Sequence, residues 1–163
     1  MKRTGQLALL LLIALAAVPS ASVTAQNKSA TKSSAARRDA TTIAAVRAVI
    51  DAQRDAWNRG DVAGYMDGYE RSADITFISG DNLSRGWQTV SDRYQKNYNS
   101  REKMGTLTFS DLETIILSND AVMVLGRWHL QRTNDQPHGR FTLIFRKTKQ
   151  GWRVVHDHTS SAS

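Results

Sequence analysis

The chain of 163 residues contains no cysteine. An exported protein of this sequence would have no disulfide bond to stabilise it, so its fold must depend on a hydrophobic core. The absence also excludes a thiol nucleophile and a lipid anchor attached to cysteine. The sequence has neither a glycine-rich phosphate loop nor a serine nucleophile elbow, so the linear motifs of many nucleotide-binding and serine-dependent enzymes are missing.

The sequence has no hydrophobic run long enough to span a membrane. The apolar run Leu7–Val18 has twelve residues, whereas a transmembrane helix needs about 20. Lys2 and Arg3 precede this run, and the small-residue stretch Val23–Ala25 follows it. This order predicts a signal peptide over residues 1–25, export to the periplasm or the medium, and no membrane attachment after cleavage. An uncleaved N-terminal anchor is the alternative.

The sequence also lacks the basic surface that binds nucleic acids. Its formal net charge is +7 with 22 basic residues, and loss of Lys2 and Arg3 with the signal peptide would leave 20 basic against 15 acidic residues. Acidic and basic residues alternate along much of the chain, which is typical of a solvated surface. With neither a basic stripe nor a recognition motif, we expect no nucleic acid partner.

Composition divides the remaining chain into a linker and a single domain. Residues 26–40 are rich in alanine, serine and threonine, and they predict a flexible low-complexity linker. Residues 41–160 have the length and apolar content of one domain of ordinary size.

The first half of this domain has helical patterns. Apolar residues at helical spacing predict a first helix over Thr41–Asn58. We expect Gly60 to end this helix in the left-handed conformation and Asp61 to cap a second helix that reaches about Tyr69. A third helix is predicted over residues 87–98, where four apolar residues share one stripe.

Strand patterns occur before the third helix and throughout the second half. Before that helix, "ADITFISG" predicts a first strand that ends in a turn at Gly80. Four further strand-like runs follow, separated by short connections: "GTLTFSDLETIIL", "DAVMVLGRWHLQRT", "GRFTLIFRKT" and "GWRVVHDHTS". Short connections favour a consecutive antiparallel meander. Helices followed by strands indicate an α+β domain with helices packed on one face of a sheet.

The strand from Ala121 to Arg132 begins with apolar residues on both faces. One face carries Val122, Val124, Gly126, Trp128 and Leu130, and the other carries Met123, Leu125, Arg127, His129 and Gln131. Because helices cover one face of a sheet, an uncovered apolar outer face would invite aggregation. A second copy of the chain is the simplest cover, so we expect a homodimer through the outer sheet face.

Two stretches of the sequence resemble a known family. "AWNRGDVAGYMDGY" is similar to the opening of the nuclear transport factor 2-like superfamily, in which Asn-x-Gly-Asp joins the first two helices. "GWRVVHDHTS" resembles the closing strand of the association domain of calcium/calmodulin-dependent protein kinase II. The resemblance covers residues 41–160 and is strongest to bacterial SnoaL-like domains of unknown function. It implies a cone-shaped α+β roll, in which a strongly curved mixed or antiparallel sheet wraps around the long first helix and leaves a cup.

The resemblance does not favour a ketosteroid-isomerase-type reaction. Such members of the superfamily use a carboxylate on the first strand and a tyrosine on the first helix, and the matching positions here hold Phe77 and Gln53. Asp74 lies at an odd spacing from Phe77 and therefore faces the other way. Both expected catalytic residue types are missing.

The resemblance places Arg127 in the cup, at the position of an arginine in the kinase association domain. The face with Arg127 would then be the inner one, and the face with Gly126 the outer one. The resemblance also turns Asp157 and Thr159 inward, and His129 shares the face of Arg127. Aromatic residues of the helices would form an apolar wall: Trp57, Tyr65, Tyr69, Trp87 and Tyr94. This combination favours a small polar or acidic ligand. An Arg127–Asp157 ion pair, with the aromatic residues serving as plain core, is the alternative.

His156 and His158 point to the same side of the closing strand. With His129 in the same sheet they are candidate metal ligands, but zinc would need a third and a fourth ligand. We therefore favour histidines that pack and hydrogen-bond at the dimer face or the cup rim, and expect no metal and no other cofactor. If the alignment to the family shifts by one residue, the two faces of the strand are exchanged, and His156 and His158 point into the cup.

The sequence thus predicts an exported dimeric domain that binds an unidentified small molecule. The alternative is an acid/base enzyme of the isomerase, dehydratase or hydrolase type that uses Asp157, His129 or His156, and a non-catalytic assembly domain is a further alternative. A buried carboxyl or imidazole group with a shifted pKa in an open cup would favour the enzyme. A closed Arg127–Asp157 pair in a filled cup would favour a binding or assembly domain.

Overall fold

The computed structural model describes residues 21–162, with side chains from residue 31 onward. The chain divides into two compact units, and the second, Arg37–Ser163, contains the whole described sheet. The predicted signal peptide lies mainly outside the described residues and remains a prediction. None of the described helices combines the length and the apolar character needed to cross a bilayer.

The described residues form four helices, α1 (Ala21–Asn58), α2 (Val62–Met66), α3 (Trp87–Asn97) and α4 (Arg101–Met104). The prediction of a flexible linker over residues 26–40 differs from the structure, because α1 runs through this segment. Between the ends of α1 the sequence has neither glycine nor proline, and alanine, lysine and arginine favour helix. The second helix ends at Met66 instead of Tyr69, and α4 was not predicted.

The turn between α1 and α2 forms as its sequence predicts. Gly60 adopts the left-handed conformation with φ of +83°. The side chain of Asp61 accepts a hydrogen bond from the backbone N–H of Gly64 at 2.7 Å and so caps α2. The turn brings Tyr65 of α2 against Trp57 of α1, with ring centroids 5.1 Å apart.

The strands form one mixed, open sheet, as the α+β prediction requires. They are β1 (Thr76–Ser79), β2 (Asn82–Arg85), β3 (Thr106–Ser118), β4 (Ala121–Gln131), β5 (His138–Thr148) and β6 (Gly151–Ser161), in the order β2-β1-β6-β5-β4-β3. The predicted antiparallel meander from β3 to β6 is confirmed. The strand β1 pairs in parallel with β6, so the strand from the helical half of the chain lies beside the last strand.

The inner face of this sheet shares one hydrophobic core with the helices. On α1 the residues Val46, Ile50, Gln53 and Trp57 recur at helical spacing and are buried. The sheet contributes its fully buried side chains from the three central strands: Val122, Val124, Phe145 and Val154. The buried residues thus recur at the helical and strand spacings from which the helices and strands were predicted.

A β-bulge in β6 decides which residues of that strand face the core. His156 pairs with Ile144 and Val154 pairs with Phe145, so Val155 has no partner on β5. Val154 is buried before the bulge and Asp157 is buried after it. Strict alternation from Val154 would have turned His156 inward, and the extra residue reverses that order.

The two faces of β4 are the reverse of those predicted. Gly126, Val122, Val124 and Leu130 are buried, whereas Arg127 is exposed. Both faces begin with apolar residues, so alternation alone could not select between them. The face with Gly126 is the inner one.

We expect Gly126→Ala to destabilise the protein by crowding the core. A Cβ atom at residue 126 would collide with Cζ of Phe141 and lie 2.8 Å from Cδ2 of Leu112. Such overpacking costs about 1–3 kcal/mol in the free energy of unfolding, which urea titration would measure. Adding Phe141→Leu should restore part of the loss, and strictly additive effects of the two substitutions would contradict this packing.

Candidate functional site

A cavity of about 130 Å³ lies between the inner face of the sheet and the helices α1, α2 and α3. Its wall is mainly aromatic and aliphatic, with a carboxyl group, hydroxyl groups and one guanidinium group added. The exposed lining residues Asn97 and Ser161 mark its opening, and the buried lining residues Asp157 and Tyr69 mark its inner end. The described part of the chain therefore has the cup that was expected.

Aromatic side chains of the helices form one wall of the cavity. The aromatic lining residues on the helices or just after them are Trp57, Tyr65, Tyr69, Tyr94 and Tyr98. Trp57 lies among three of the others, with ring centroids 5.1 Å from Tyr65, 6.2 Å from Tyr94 and 4.6 Å from Tyr98. The indole N–H of Trp57 donates to the carbonyl oxygen of Met104 at 3.0 Å, which fixes the ring. Four of the five predicted aromatic lining residues are thus brought together.

The fifth, Trp87, lies outside the cavity lining. It is the first residue of α3, and its indole N–H donates to the carbonyl oxygen of Met66 at 3.2 Å. The guanidinium group of Arg71 covers its ring at 4.6 Å from the centroid. The prediction was wrong for Trp87, because this side chain connects the start of α3 to the end of α2 through its hydrogen bond to Met66.

Asp157 is the carboxyl group of the cavity. Its side chain is buried, and the residue is only 3% exposed. The hydroxyl group of Tyr69 donates to Oδ2 at 2.6 Å, and that of Thr159 donates to Oδ1 at 2.8 Å. No ion pair to Asp157 is present among the residues that the structure describes. Asp157 and Thr159 line the cavity as predicted.

Burial makes this carboxyl group titrate near neutral pH. Burial raises the pKa of Asp157 to about 6, while the hydrogen bonds from Tyr69 and Thr159 pull it part of the way back. Burial and the negative charge of Asp157 raise the pKa values of Tyr65, Tyr69 and Tyr94. These phenols therefore stay protonated. Among the three, Tyr69 is the one that donates a hydrogen bond to the carboxyl group.

Arg127 and His129 do not line the cavity, and their predicted face was wrong. Both lie on the outer face of β4, opposite Arg140 and His138 of β5. Arg127 pairs with the exposed Asp111, with Nε 2.9 Å from Oδ2, and not with Asp157. The rings of His129 and His138 lie 6.3 Å apart.

His156 and His158 also lie on the outer face, on either side of Asp157. Nδ1 of His156 lies 2.6 Å from the hydroxyl oxygen of Thr76. Burial, together with the neighbouring His158, lowers the pKa of His156. Within residues 21–162, no group of three or more histidine, aspartate or glutamate side chains is placed to hold a metal ion. The candidate catalytic pair His129 and His156 is thus separated from Asp157 by the sheet.

Gln53 and Phe77, the residues at the positions of the superfamily's tyrosine and carboxylate, both line the cavity. The amide nitrogen of Gln53 donates to the carbonyl oxygen of Tyr65 at 3.1 Å. Phe77 of β1 is the direct neighbour of Asp157 on β6. The carboxyl group therefore comes from the strand beside the expected one.

Several lining residues were not identified from the sequence. From the strands these are Phe109, Trp128 and Phe141, and from α3 they are Arg93 and Asn97. The alternation of Phe141, Leu143 and Phe145 on β5 could have indicated the strand residues. Arg93 and Asn97 each precede a tyrosine of the predicted stripe, so they lie at its border.

The chain is similar to a known domain family and to solved structures. The family model described as a SnoaL-like domain matches residues 46–163. Comparison with curated proteins gives no significant match. A solved NTF-2-like protein of unknown function from Shewanella oneidensis MR-1 is 39% identical, with a TM-score of 0.70, over 72% of this chain and 98% of that one.

Two more distant structures share the fold. A ketosteroid isomerase-like protein from Erwinia carotovora atroseptica SCRI1043 is 19% identical with a TM-score of 0.61, over 74% of this chain and 95% of that one. A provisionally assigned calcium/calmodulin-dependent protein kinase II association domain from Xanthomonas campestris is 14% identical with a TM-score of 0.59, over 72% and 85%. At this identity the similarity establishes the fold and not the activity.

We expect Asp157→Asn to stabilise the protein at neutral pH. The pKa of Asp157 in the folded state, about 6, lies above its ordinary value of 3.8. The folded state therefore binds the proton more tightly than the unfolded chain, and stability falls as the pH rises from about 4 to about 6. The free energy of unfolding should fall by about 2–3 kcal/mol over this pH range.

Urea unfolding across this pH range would measure the effect. The asparagine variant should lose this part of the pH dependence and exceed the wild type in stability above pH 6. Asp111→Asn, at an exposed carboxylate on the outer face, should keep the wild-type profile. An unchanged pH dependence in Asp157→Asn would contradict a buried charge at Asp157.

Proposed function

The chain belongs to the SnoaL-like domain family of the nuclear transport factor 2-like superfamily, and we propose that it is an acid/base enzyme that moves a proton within a small organic molecule. Asp157 is the proposed base. The observation that carries this proposal is a buried carboxyl group, without an ion-pair partner in the described chain, at the inner end of an open aromatic cavity. A carboxyl group with a pKa of about 6 can exchange a proton at neutral pH.

The geometry favours this proposal over a binding or assembly domain. An assembly domain was expected to close an Arg127–Asp157 pair and to fill its cup with its own side chains. Arg127 instead pairs with Asp111, and the cavity has room for a molecule about the size of one ring. Burying an unpaired carboxyl group costs stability, and such groups concentrate at functional sites.

The surrounding hydroxyl groups divide between two roles. Tyr69 and Thr159 each donate to one oxygen of Asp157 and so orient the carboxylate. Tyr65 and Tyr94 lie close enough for the charge of Asp157 to raise their pKa values. Both residues line the cavity, and we propose that their hydroxyl groups stabilise negative charge that develops on a substrate oxygen when Asp157 removes a proton. Return of that proton to another carbon gives isomerisation, and loss of water gives dehydration.

We expect proton exchange by the wild type and its loss in Asp157→Asn. The substrates to test are monocyclic ketones and enones in D₂O, with deuterium uptake next to the carbonyl group followed by NMR. The wild-type rate should rise with pH around a midpoint near 6, as Asp157 becomes the carboxylate. Asp157→Asn should lower the rate by about 10²–10⁴-fold.

Two further variants sharpen this test. Tyr69→Phe removes a hydrogen bond that lowers the pKa of Asp157, so the midpoint of the pH–rate profile should move upward. Asp111→Asn changes an exposed carboxylate on the other face of the sheet and should leave the rate unchanged. Exchange at the wild-type rate in Asp157→Asn, or no exchange with the whole substrate series, would refute the enzymatic proposal.

We also propose that the protein is a homodimer through the outer sheet face. Four apolar side chains occupy adjacent positions of β3, β4 and β5 on this face and remain partly exposed: Ile115, Met123, Leu125 and Ile144. None of them belongs to the buried core of the described residues. A second copy laid on this surface would remove them from water.

We expect Leu125→Glu to dissociate the proposed dimer. The substitution places a charge among the apolar side chains of the outer face, where a partner sheet would have to bury it. Analytical ultracentrifugation should give a dimer for the wild type and a monomer for the variant. Thr108→Glu, exposed nearer the end of the same face, is the control. A monomeric wild type, or a dimer in Leu125→Glu, would reject this interface.

A further inference from the structure

Arg93 is the guanidinium group among the residues that line the cavity. It lies on α3, one residue before Tyr94, and its side chain is half-buried. The guanidinium carbon lies 5.2 Å from the centroid of the Phe77 ring. This contact holds the charged end of Arg93 at the cavity wall instead of in open solvent.

Arg93 has no carboxylate partner within the described residues. The guanidinium group of Arg93 forms neither an ion pair nor a hydrogen bond with these residues. Its hydrogen-bond donors are therefore free to bind a group that enters the cavity. A guanidinium group presents paired N–H donors in a plane that matches a carboxylate.

Other polar groups accompany Arg93 at the opening. Asn97 follows one helical turn later on α3, and Ser79 and Ser161 lie at the ends of β1 and β6. Asn97 and Ser161 are exposed, so this group of side chains is in contact with solvent. A charged part of a ligand could remain partly hydrated here, which lowers the cost of binding it.

The two ends of the cavity have opposite charge. Above a pH of about 6 the inner end carries the carboxylate of Asp157, while the opening carries the cation of Arg93. An anionic group would be repelled from Asp157 and attracted to Arg93. A ring with one carboxylate has a single favourable orientation, with the ring inward and the carboxylate outward.

We propose that Arg93 forms a carboxylate subsite at the opening, so that the ligand is a small cyclic carboxylic acid whose uncharged ring lies against the aromatic wall. The inference rests on the proposed function in placing a small molecule in the cavity. It does not require that Asp157 moves a proton. The subsite orients the ring so that its uncharged polar groups meet Asp157 and the tyrosine hydroxyl groups.

The test compares phenylacetate with phenylacetamide, which has the same shape but no charge. Binding at neutral pH would be followed by calorimetry and by the fluorescence of the lining residues Trp57 and Trp128. We expect the wild type to bind the carboxylate at least tenfold more tightly than the amide. Arg93→Met keeps a side chain over Phe77 and should weaken carboxylate binding by about 10–100-fold, with little effect on the amide.

Three controls separate this subsite from other causes. Arg71→Met removes another arginine that covers an aromatic ring, but outside the cavity, and should leave both affinities unchanged. Arg93→Lys should recover part of the preference, because it keeps the charge and loses the planar pair of donors. Asp157→Asn should retain the preference and bind phenylacetate more tightly.

The result that overturns the subsite is equal binding of acid and amide by the wild type, or a preference that persists in Arg93→Met. Lack of binding by both probes at millimolar concentration would overturn it as well. Proton exchange at the wild-type rate in Asp157→Asn would refute the proposed function and leave the subsite untouched. The two proposals therefore fail by different measurements.

Discussion

The orientation of Asp157 depends on one extra residue in the last strand. Val155 is unpaired, so the bulge reverses the alternation of β6 between Val154 and Asp157. Both of these residues face the core, although they are separated by an odd number of positions. A regular strand would have buried His156 and exposed Asp157. The cavity would then have no carboxyl group, and the outer face would have gained a negative charge.

The buried carboxyl group and the cavity both oppose stability. Burial disfavours the charged form of Asp157, and an unfilled volume forfeits the contacts that a packed interior would make. The remaining core is closely packed where it adjoins these features, with Phe145, Val122, Val124 and Val154 fully buried. The hydrogen bonds from Tyr69 and Thr159 recover part of the cost and also hold the carboxylate in one orientation. The same contacts thus serve both the stability and the proposed chemistry.

Local patterns predicted most of the fold. The buried stripe of α1, the Gly60–Asp61 turn and the four strands of the meander all follow from features within a few residues of each other. The bulge at Val155 and the parallel pairing of β1 with β6 arise from contacts between distant parts of the chain, so no local pattern contains them.

The candidate site was predicted only in part, because some of its residues follow local patterns and others depend on contacts between distant parts of the chain. The tyrosines of α2 and α3 were found because they lie on apolar helical stripes, and Asp157 was found through the resemblance of its strand. Arg127 was misplaced because its face was inferred from the resemblance. The apolar start of β4 on both faces gave no local signal against that placement, and the packing of Gly126 against Phe141 decides the orientation. Arg93 was missed because a lone arginine beside a helical stripe is usually a solvated side chain. Its proposed role depends on the position of Phe77, which only the folded chain provides.

The position of the carboxyl group limits what can be transferred from distant relatives. In this chain the first-strand position of the superfamily's base holds Phe77, and the carboxyl group comes from Asp157 beside it on β6. A base on this neighbouring strand approaches the cavity nearer the centre of the sheet, and its hydrogen-bond partner Tyr69 lies just beyond α2. If the proposed activity is correct, its substrate presents the acidic proton at a different place from the one that a base on β1 would require. Chemistry in this fold follows from where each group meets the cavity, and equivalent positions in the alignment do not decide it.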